Sequence, residues 1–509
     1  MHRTMKLFTV ALMVLSLTLA AQAQTNTTAT ITNANVRAMS LQDCIQEALR
    51  HNLDIQIQRY NPQISLYTLR ADYAGYDPAF NFSGTHTYNV SPPTVNPYAG
   101  TNKQIQLLPA TVTEGNTFNT GVGGMLPSGL QYNFTANASE DTSTFSPRYS
   151  SGQMEMSLTQ PLLKNFWIDS TRLTIRLARN NVKYSVQGLR NQLITSVTAV
   201  ENAYYELIFA IDNVSVQKEA LNLAQTQLDQ DNERVQIGTL AILDVQQDEA
   251  QVAQSKANLI GAQYTLVSDQ NALKNLLADT NYVTWHDIDL QPTESLIAPE
   301  QPFNLQESWR KGLTERPDLL QSQLTVENQG IQLKFDRNQI YPQLNLNGTY
   351  GFNGAAGDFN GTVNEFNKGN APFYTYGAQF SVPLDNVGAR NTYKSDKASL
   401  QQKVLQLKQL EQTIMVGIDN AVKQAESDYQ GVQASHEATV YAAAALDAEQ
   451  KKYAVGKSTT FTVLQLQNSL TSARSQEIRA LANYNQALAN LAQQEGSTLE
   501  RNRIDVQIW

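Results

Sequence analysis

The sequence predicts a mixed α and β membrane protein that is internally duplicated, with long coiled-coil helices joined to transmembrane strands. Three observations support this fold class: one order of segments occurs twice in the 509 residues, apolar residues recur every seventh position from Val186 to Val235, and short segments between the helices alternate apolar and polar residues. A seven-residue period is typical of coiled coils, and a two-residue period is typical of strands.

The N-terminus is expected to be a signal peptide over residues 1–23. Arg3 and Lys6 precede an apolar run, and Ala21-Gln22-Ala23 has the small residues of a cleavage site. An N-terminal extension then covers 24–40. The net charge of −9 on an exported chain argues against nucleic acid as a partner. No later run of about 18 apolar residues occurs, so no membrane-spanning helix is expected.

The duplication is visible where LQDCIQEALR begins at Leu41 and LQESWRKGLT begins at Leu305. The same offset of 264 residues pairs Asp54 with Asp318. We therefore expect a first repeat over 41–302, a second repeat over 303–497 and a C-terminal tail over 498–509. The offset has fallen to 218 residues at Gly238 and Gly456, so the first repeat carries an insertion, most of it between residues 84 and 161.

Each repeat is predicted to contain three helices, over 41–76, 166–236 and 240–280 in the first and over 303–340, 387–454 and 459–497 in the second. The helix over 166–236 carries the heptad stripe of Val186, Leu193, Val200, Leu207, Val214, Leu221, Leu228 and Val235. At about 1.5 Å per residue this helix spans about 100 Å, and two shorter helices stacked end to end match its length. Pro62 and Pro317 are expected to kink or split the first helix of each repeat.

Strands are predicted within 78–163 and 342–385. Residues 343–352 place Leu344, Leu346 and Tyr350 on one face, as in transmembrane strands; a soluble β-sandwich is the alternative for any single segment. The insertion supplies either two more strands or an extracellular hairpin at 117–138. Four to six strands are fewer than the roughly eight of the smallest barrels. Because an open sheet edge in lipid leaves backbone groups unpaired, other copies of the chain must close the barrel in a cyclic assembly.

The duplicated helix–hairpin–helix order, the prolines at the strand exits (Pro161 and Pro383) and the paired glycine breaks resemble the TolC-like outer-membrane efflux proteins over residues 40–497. The resemblance implies a homotrimer in which a transmembrane β-barrel, shared between protomers, continues into a long coiled-coil α-helical barrel in the periplasm. It also implies a periplasmic adaptor (membrane fusion) protein and an inner-membrane transporter as partners, outer membrane lipid around the barrel, and no cofactor. Two strands per half give twelve in a trimer, whereas six per chain would give eighteen.

By position, the resemblance places the adaptor-docking tip turns at Gly238 and Gly456, with a polar link at Asp244 and a tip tyrosine at Tyr453. The alternative is that Asp244 and Tyr453 only cap or pack helix ends. The family's acidic entrance rings map to the pore-facing positions Thr462 and Gln465, which are uncharged, so a carboxylate cation gate is not expected. Strand–helix transitions are expected at Pro78, Pro161, Pro342 and Pro383.

No catalytic or metal site is expected. The five histidines have no ligand spacing, and neither HExxH nor CxxC occurs. The protein is therefore not expected to be an enzyme. The sequence and the resemblance together indicate the passive exit duct of a tripartite efflux or secretion system, which exports small molecules or proteins from the periplasm. The alternative is a secreted coiled-coil structural or adhesive protein without a channel.

Overall fold

The structure, a computed structural model, describes residues 35–95, 107–278 and 283–505. The predicted signal peptide over 1–23, residues 24–34 of the extension and the end of the tail lie outside these ranges. In chain order the elements are β1 (Asn35–Met39), α1 (Leu41–His51), α2 (Leu53–Asp72), a 3₁₀ turn (Tyr73–Tyr76), β2 (Ala79–Ser91), β3 (Thr94–Val95), β4 (Leu107–Leu108), β5 (Thr111–Met125), β6 (Gln131–Ser143), β7 (Ser146–Pro161), α3 (Ser170–Gln236), α4 (Ile242–Leu277), α5 (Val283–His286), β8 (Ile288–Pro292), α6 (Leu305–Glu315), α7 (Pro317–Gln339), β9 (Gln343–Ala356), α8 (Phe359–Lys368), β10 (Pro372–Ser381), α9 (Val387–Ala454), α10 (Thr460–Glu495) and α11 (Thr498–Arg501).

The first helix of each repeat is two helices, broken at Asn52 and at Arg316, which are 264 residues apart. The Asn52 side chain accepts a hydrogen bond from the Ile55 N–H at 3.2 Å and so caps α2. Pro317 begins α7, where its fixed φ and missing N–H suit the first turn. Of the kink or split expected at each proline, a split is present at Pro317, whereas Pro62 causes no split and lies buried inside a continuous α2.

Two helices of 67 and 68 residues, α3 and α9, form the long axis of the molecule. α2 and α4 pack along α3, and α7 and α10 pack along α9 in the same way. α7 and α10 also pack against α3, which joins the two repeats. The start of α3 at Ser170 is four residues later than predicted, because the Asp169 side chain caps the helix by accepting from the Arg172 N–H.

Only the middle of the predicted heptad stripe is buried within one chain. Leu193, Val200 and Leu207 lie in the core, whereas the later stripe residues, from Val214 to Val235, are half-buried. Towards the end of α3 the buried positions are instead Ala224, Gln227 and Asp231. The chain therefore does not cover this stripe along its whole length.

Six of the strands form one antiparallel sheet in the order β10-β9-β7-β6-β5-β2, and β3 pairs separately with β4. The insertion at 117–138 contributes β5 and β6 to this sheet between β2 and β7, rather than a separate hairpin. β2 and β10 are the two edges. The strand pairing gives the sheet one apolar face and one polar face. On the apolar face, Tyr350 of β9 is paired with Met156 of β7 and with Tyr374 of β10.

The four predicted transition prolines lie at strand ends. Pro78 and Pro342 come directly before β2 and β9, Pro161 ends β7, and Pro383 follows β10 by two residues. A proline has no N–H to donate to the ladder, so it suits these positions. Two features had no counterpart in the sequence interpretation: the parallel pair β1–β8 and helix α8 between β9 and β10. None of the helices in the described ranges is both long enough and apolar enough to span a bilayer.

Candidate functional site at the helical tip

The turns between α3 and α4 and between α9 and α10 have the same geometry. Gly238 and Gly456 take left-handed φ values of 79° and 71°. The N–H of the residue after each glycine donates back to Arg234 O at 2.9 Å and to Lys452 O at 3.0 Å, respectively. This is the hydrogen-bond pattern of a Schellman helix end, in which a left-handed residue favours glycine. The two turns are thus equivalent in structure, as their equivalent sequence positions predict.

Apolar side chains around these turns are exposed to solvent. Their exposed fractions exceed 60% at Ile237, Ile242, Leu243, Val455 and Phe461. Beside them, a Cβ added to either tip glycine would meet nothing within 4 Å. Clustered exposed apolar side chains mark interaction surfaces in folded proteins. The end of the helical bundle is therefore suited to bind another protein.

Beneath the turns lies a buried polar group of residues, which we call the tip cluster: Gln227, Asp231, Asp248, Tyr453 and Thr460. The Tyr453 hydroxyl lies 2.7 Å and 2.8 Å from the two carboxylate oxygens of Asp231 and donates to that carboxylate. The Gln227 amide donates to Asp231 at 2.8 Å. Thr460 places its hydroxyl 2.9 Å from that of Tyr453. The cluster joins α3 to α9 and α10.

The tip cluster holds two carboxyl groups in a site closed to water. Burial, and next the neighbouring Asp231 carboxylate, raise the pKa of Asp248 to about 7. Among the described residues, neither oxygen of Asp248 has a hydrogen-bond donor, so nothing stabilises its charged form. Burial also raises the pKa of Tyr453 to about 12, which keeps its hydroxyl a donor. The Arg234 guanidinium lies 4.4 Å from the centre of the Tyr453 ring.

The predicted tip residues do not all meet. Tyr453 is bonded to Asp231, whereas Asp244 lies in the first turn of α4, half-buried. The Asp244 carboxylate reaches the cluster only through its charge, which contributes to the raised pKa of Asp248. Ser458 donates to Glu449. Within this chain the acid hydrogen-bonded to Tyr453 therefore comes from α3, and the polar link at Asp244 stays a prediction.

The two predicted entrance residues lie on α10. Thr462 is in the first turn, where its N–H donates to the Thr459 hydroxyl at 3.4 Å. Gln465 is exposed and lines a groove of about 890 Å³ beside α4. Amide and hydroxyl side chains dominate its lining: Gln247, Gln251, Gln465, Asn468, Ser469 and Ser472. The lining also includes the apolar side chains of Phe461 and Leu464, and none of the lining residues is charged.

Sequence reasoning missed Asp231, Asp248 and Thr460. A signal was present in α3, where Gln227 lies three residues after Ala224 and Asp231 lies four residues after Gln227. That spacing is the one that keeps residues on a single helix face. Polar residues at core spacing near a helix end are thus the pattern to look for. No three His, Cys, Asp or Glu residues in the described ranges are arranged to hold a metal ion.

Comparison with known proteins agrees with the fold. The family described as "Outer membrane efflux protein" matches residues 126–279 and 310–497, more than half of the chain. Outer membrane protein TolC of Escherichia coli K12 is 25% identical over 311 residues, a match that spans 57% of this chain and 59% of that protein.

Two solved structures show the same fold. The Campylobacter jejuni CmeC outer membrane channel superposes with a TM-score of 0.65 at 16% identity, covering 90% of this chain and 86% of that one. The open state of the Neisseria gonorrhoeae MtrE outer membrane channel gives 0.64 at 16% identity, covering 92% and 91%. This chain is an outer-membrane protein and belongs to the outer membrane efflux protein family.

Proposed function

We propose that the protein is the exit duct of a tripartite efflux or secretion system, a homotrimeric channel that conducts small molecules or proteins from the periplasm to the exterior. The observation that carries the proposal is that the packing between the two repeats is incomplete within one chain. The second repeat packs on the first within one chain, but the equivalent packing of the first repeat on the second is missing, so a neighbouring chain is needed to complete a ring.

The missing contact is defined by the duplication. α7 and α10 pack against α3. Their equivalents α2 and α4 do not pack along α9, the equivalent of α3, in the described parts of the chain. A ring of protomers supplies this contact if α2 and α4 of one protomer pack on α9 of the next. Such head-to-tail interfaces close into a ring when the rotation from one subunit to the next is a full turn divided by the number of subunits.

The exposure of equivalent side chains supports this interface. Tyr264 of α4 is 76% exposed, whereas its equivalent Ala482 in α10 is fully buried. Val416 of α9 is 59% exposed, whereas its equivalent Thr198 in α3 is 2% exposed. On α2 the exposed apolar side chains follow one helix face: Leu53, Ile57, Tyr60, Ile64 and Tyr67. Apolar faces of this length need a partner.

The sheet requires the same assembly. Its edge strands β2 and β10 have unpaired backbone groups, which cannot remain exposed in lipid. If β10 of each protomer pairs with β2 of the next, three protomers with six strands each form a closed barrel of eighteen strands. The apolar face of the sheet then meets lipid, and the polar face lines the pore. The number three comes from the family resemblance.

At the other end, the exposed apolar tip is proposed to dock the periplasmic adaptor, through the turns at Gly238 and Gly456 and the neighbouring Asp244 and Tyr453. An inner-membrane transporter completes the system. Thr462 and Gln465 are proposed to face the pore at the periplasmic entrance. The groove beside Gln465 is uncharged and lined by both polar and apolar side chains, which suits passage of varied solutes better than selection of one ion.

The test of the duct is conduction by the trimer. Purified protein is expected to run as a trimer by mass measurement in detergent and to conduct ions in planar bilayers. Ile57→Glu places a charge in the exposed stripe of α2 and should abolish the trimer. Asn61→Glu, which adds the same charge beside the stripe on an exposed position, is the matched control. A non-conducting monomer that is extracted without detergent would support the secreted structural protein instead.

A further inference from the structure

Helix α8, a ten-residue helix between β9 and β10, lies on the apolar face of the sheet. The Thr362 hydroxyl is 3.0 Å from Ser150 O and 2.9 Å from Ser150 Oγ. The Phe359 ring packs edge-on against Phe118 with their centroids 5.2 Å apart. Ser150 and Phe118 both lie on the apolar face of the sheet. Ser150 is four residues before Met154 on β7, so the two side chains point to the same face. Phe118 pairs with Ala138 of β6, which pairs with Gly152 on that same face of β7. The helix therefore covers the side of the sheet proposed to meet lipid.

A shallow seat of small residues receives the helix. Gly152 and Gly354 lie opposite each other on β7 and β9. A Cβ on Gly152 would lie 2.9 Å from Cζ of Phe366, and one on Gly354 would lie 2.8 Å from its Cε1. Ala138, next to them on β6, is 6% exposed. Larger side chains at these positions would displace the Phe366 ring, so α8 and the sheet fit as one unit.

The first turn of α8 is fixed by two polar contacts. The Asp358 side chain accepts from the Gly361 N–H at 2.7 Å and caps the helix. The Glu140 carboxylate accepts from the Phe359 N–H at 3.0 Å and is itself paired with Arg148. The helix is thus held to β6 and β7 as well as by its own chain connections to β9 and β10.

The height of α8 on the sheet corresponds to the boundary of a bilayer. The seat at Gly354 is ten residues along β9 from Leu344, near the helical domain. At about 3.3 Å per residue that distance is about 33 Å. With a strand tilt of about 40°, the rise is about 25 Å, which is the height of the apolar band in outer-membrane barrels. The helix therefore lies where the hydrocarbon layer ends.

The outward face of α8 is polar without net charge. Its exposed residues are Asn360, Val363, Asn364, Asn367 and Lys368. Lys368 is paired with Glu365 at 2.7 Å. Amide side chains without partners are costly in hydrocarbon but well accommodated among polar lipid headgroups. A polar helix fixed to the lipid-facing side of a barrel at this height has one class of neighbour, the headgroup layer.

We propose that α8 is an interfacial helix that contacts the headgroup layer of the outer leaflet and fixes how deep the barrel sits in the membrane. The inference rests on the proposed function, because it takes the apolar face of the sheet to be the lipid-facing surface of a barrel. Interfacial helices elsewhere lie in this layer with one face packed and one face among headgroups.

Fluorescence quenching from defined depths tests the helix and the barrel separately. Cys44 is the single cysteine, so a Cys44→Ala background carries one new cysteine for a fluorophore. Val363→Cys labels the outward face of α8. Met156→Cys, opposite Tyr350 and six residues along the sheet from Leu344, labels the apolar face near the middle of the band. Ala355→Cys labels the polar face at the height of α8. Each trimer is placed in bilayers with headgroup-nitroxide lipid, with lipid brominated in mid-chain, or with aqueous iodide.

We expect the label at Val363 to lose most fluorescence with headgroup nitroxide, the label at Met156 with brominated chains, and the label at Ala355 with iodide alone. Gly354→Leu should displace Phe366 and shift the label at Val363 towards iodide, because the three atoms nearest to a Cβ at Gly354 all belong to α8. The inference is overturned if the label at Val363 responds to iodide alone or chiefly to brominated chains while the label at Met156 behaves as expected. Failure of the label at Met156 to respond to brominated lipid would instead overturn the barrel.

Discussion

The buried carboxyl of Asp248 is expected to make the helical tip less stable at neutral pH than in mild acid. A pKa raised from 3.8 to about 7 in the folded protein corresponds to up to about 4 kcal/mol, at about 1.36 kcal/mol per unit. Because the folded state then binds more protons than the unfolded state, stability falls as pH rises. The full contribution is present below the unfolded pKa near 3.8 and is lost as pH rises through about 7.

Other charged groups face the same site. Asp231 and Asp244 disfavour the Asp248 anion, while Arg234 lies 3.6 Å from Asp231 and partly offsets the negative charge. Tyr453 stays protonated throughout this range because burial raises its pKa to about 12. The pH dependence between 4 and 7 is therefore assigned to the proton on Asp248.

The substitution Asp248→Asn replaces the protonated acid by an amide of similar shape that cannot ionise. The assay is hydrogen exchange by mass spectrometry on tip peptides of the intact trimer, corrected for intrinsic exchange rates, because local opening is measured there without global unfolding. In the wild type, tip protection should fall at least about tenfold between pH 5 and pH 8, which is about 1.4 kcal/mol. In Asp248→Asn it should stay constant.

Asp229→Asn is the matched control, since Asp229 is exposed near the end of the neighbouring helix α3 and its removal changes the charge equally. This variant should retain the wild-type pH dependence. The reasoning would be refuted if Asp248→Asn and the wild type lost tip protection in parallel as pH rose. It would also be refuted if the control variant abolished the pH dependence, because a general charge effect would then be responsible.

Two further predictions concern the tip turns and the entrance. Replacing Gly238 or Gly456 with valine should weaken adaptor capture in a pulldown and leave the trimer intact, because a β-branched residue is strained at left-handed φ. The control is Gly261→Val, in open space inside α4. Equal capture by all three variants would contradict the docking assignment. Thr462→Asp should shift the reversal potential in a salt gradient towards cation selectivity, with Thr462→Asn as the neutral control. An unchanged potential would place this residue away from the pore.

Much of the fold could be predicted from local patterns. Helix α9, predicted over 387–454 as the second copy of the long helix, is observed over Val387–Ala454. The break between α6 and α7 was predicted at Pro317, but its counterpart at Asn52 was not, because asparagine capping depends on the backbone around it. A kink or split was predicted at Pro62, and no split occurs there. A buried proline can stay within a helix when packing offsets the lost hydrogen bond.

The candidate site was predicted only in outline. Gly238 and Gly456 lie in the two turns between long helices, as predicted, while their docking role stays a prediction. The acid hydrogen-bonded to Tyr453 is Asp231, 222 residues away in sequence. The register between α3 and α9 decides this pairing, and a shift of one helical turn would bring a different side chain to Tyr453. No periodicity within one helix contains that information.

The sequence by itself therefore determined the duplication, the long helices, the alternating strands and the two glycine turns. Each of these depends on short-range spacing or on the φ values that a residue can adopt. The tertiary structure alone decided that the insertion joins the sheet, that Asp231 and Asp248 share a dry site, and that α8 lies on the apolar face. These depend on contacts between distant segments, whose geometry is set by packing of the whole chain.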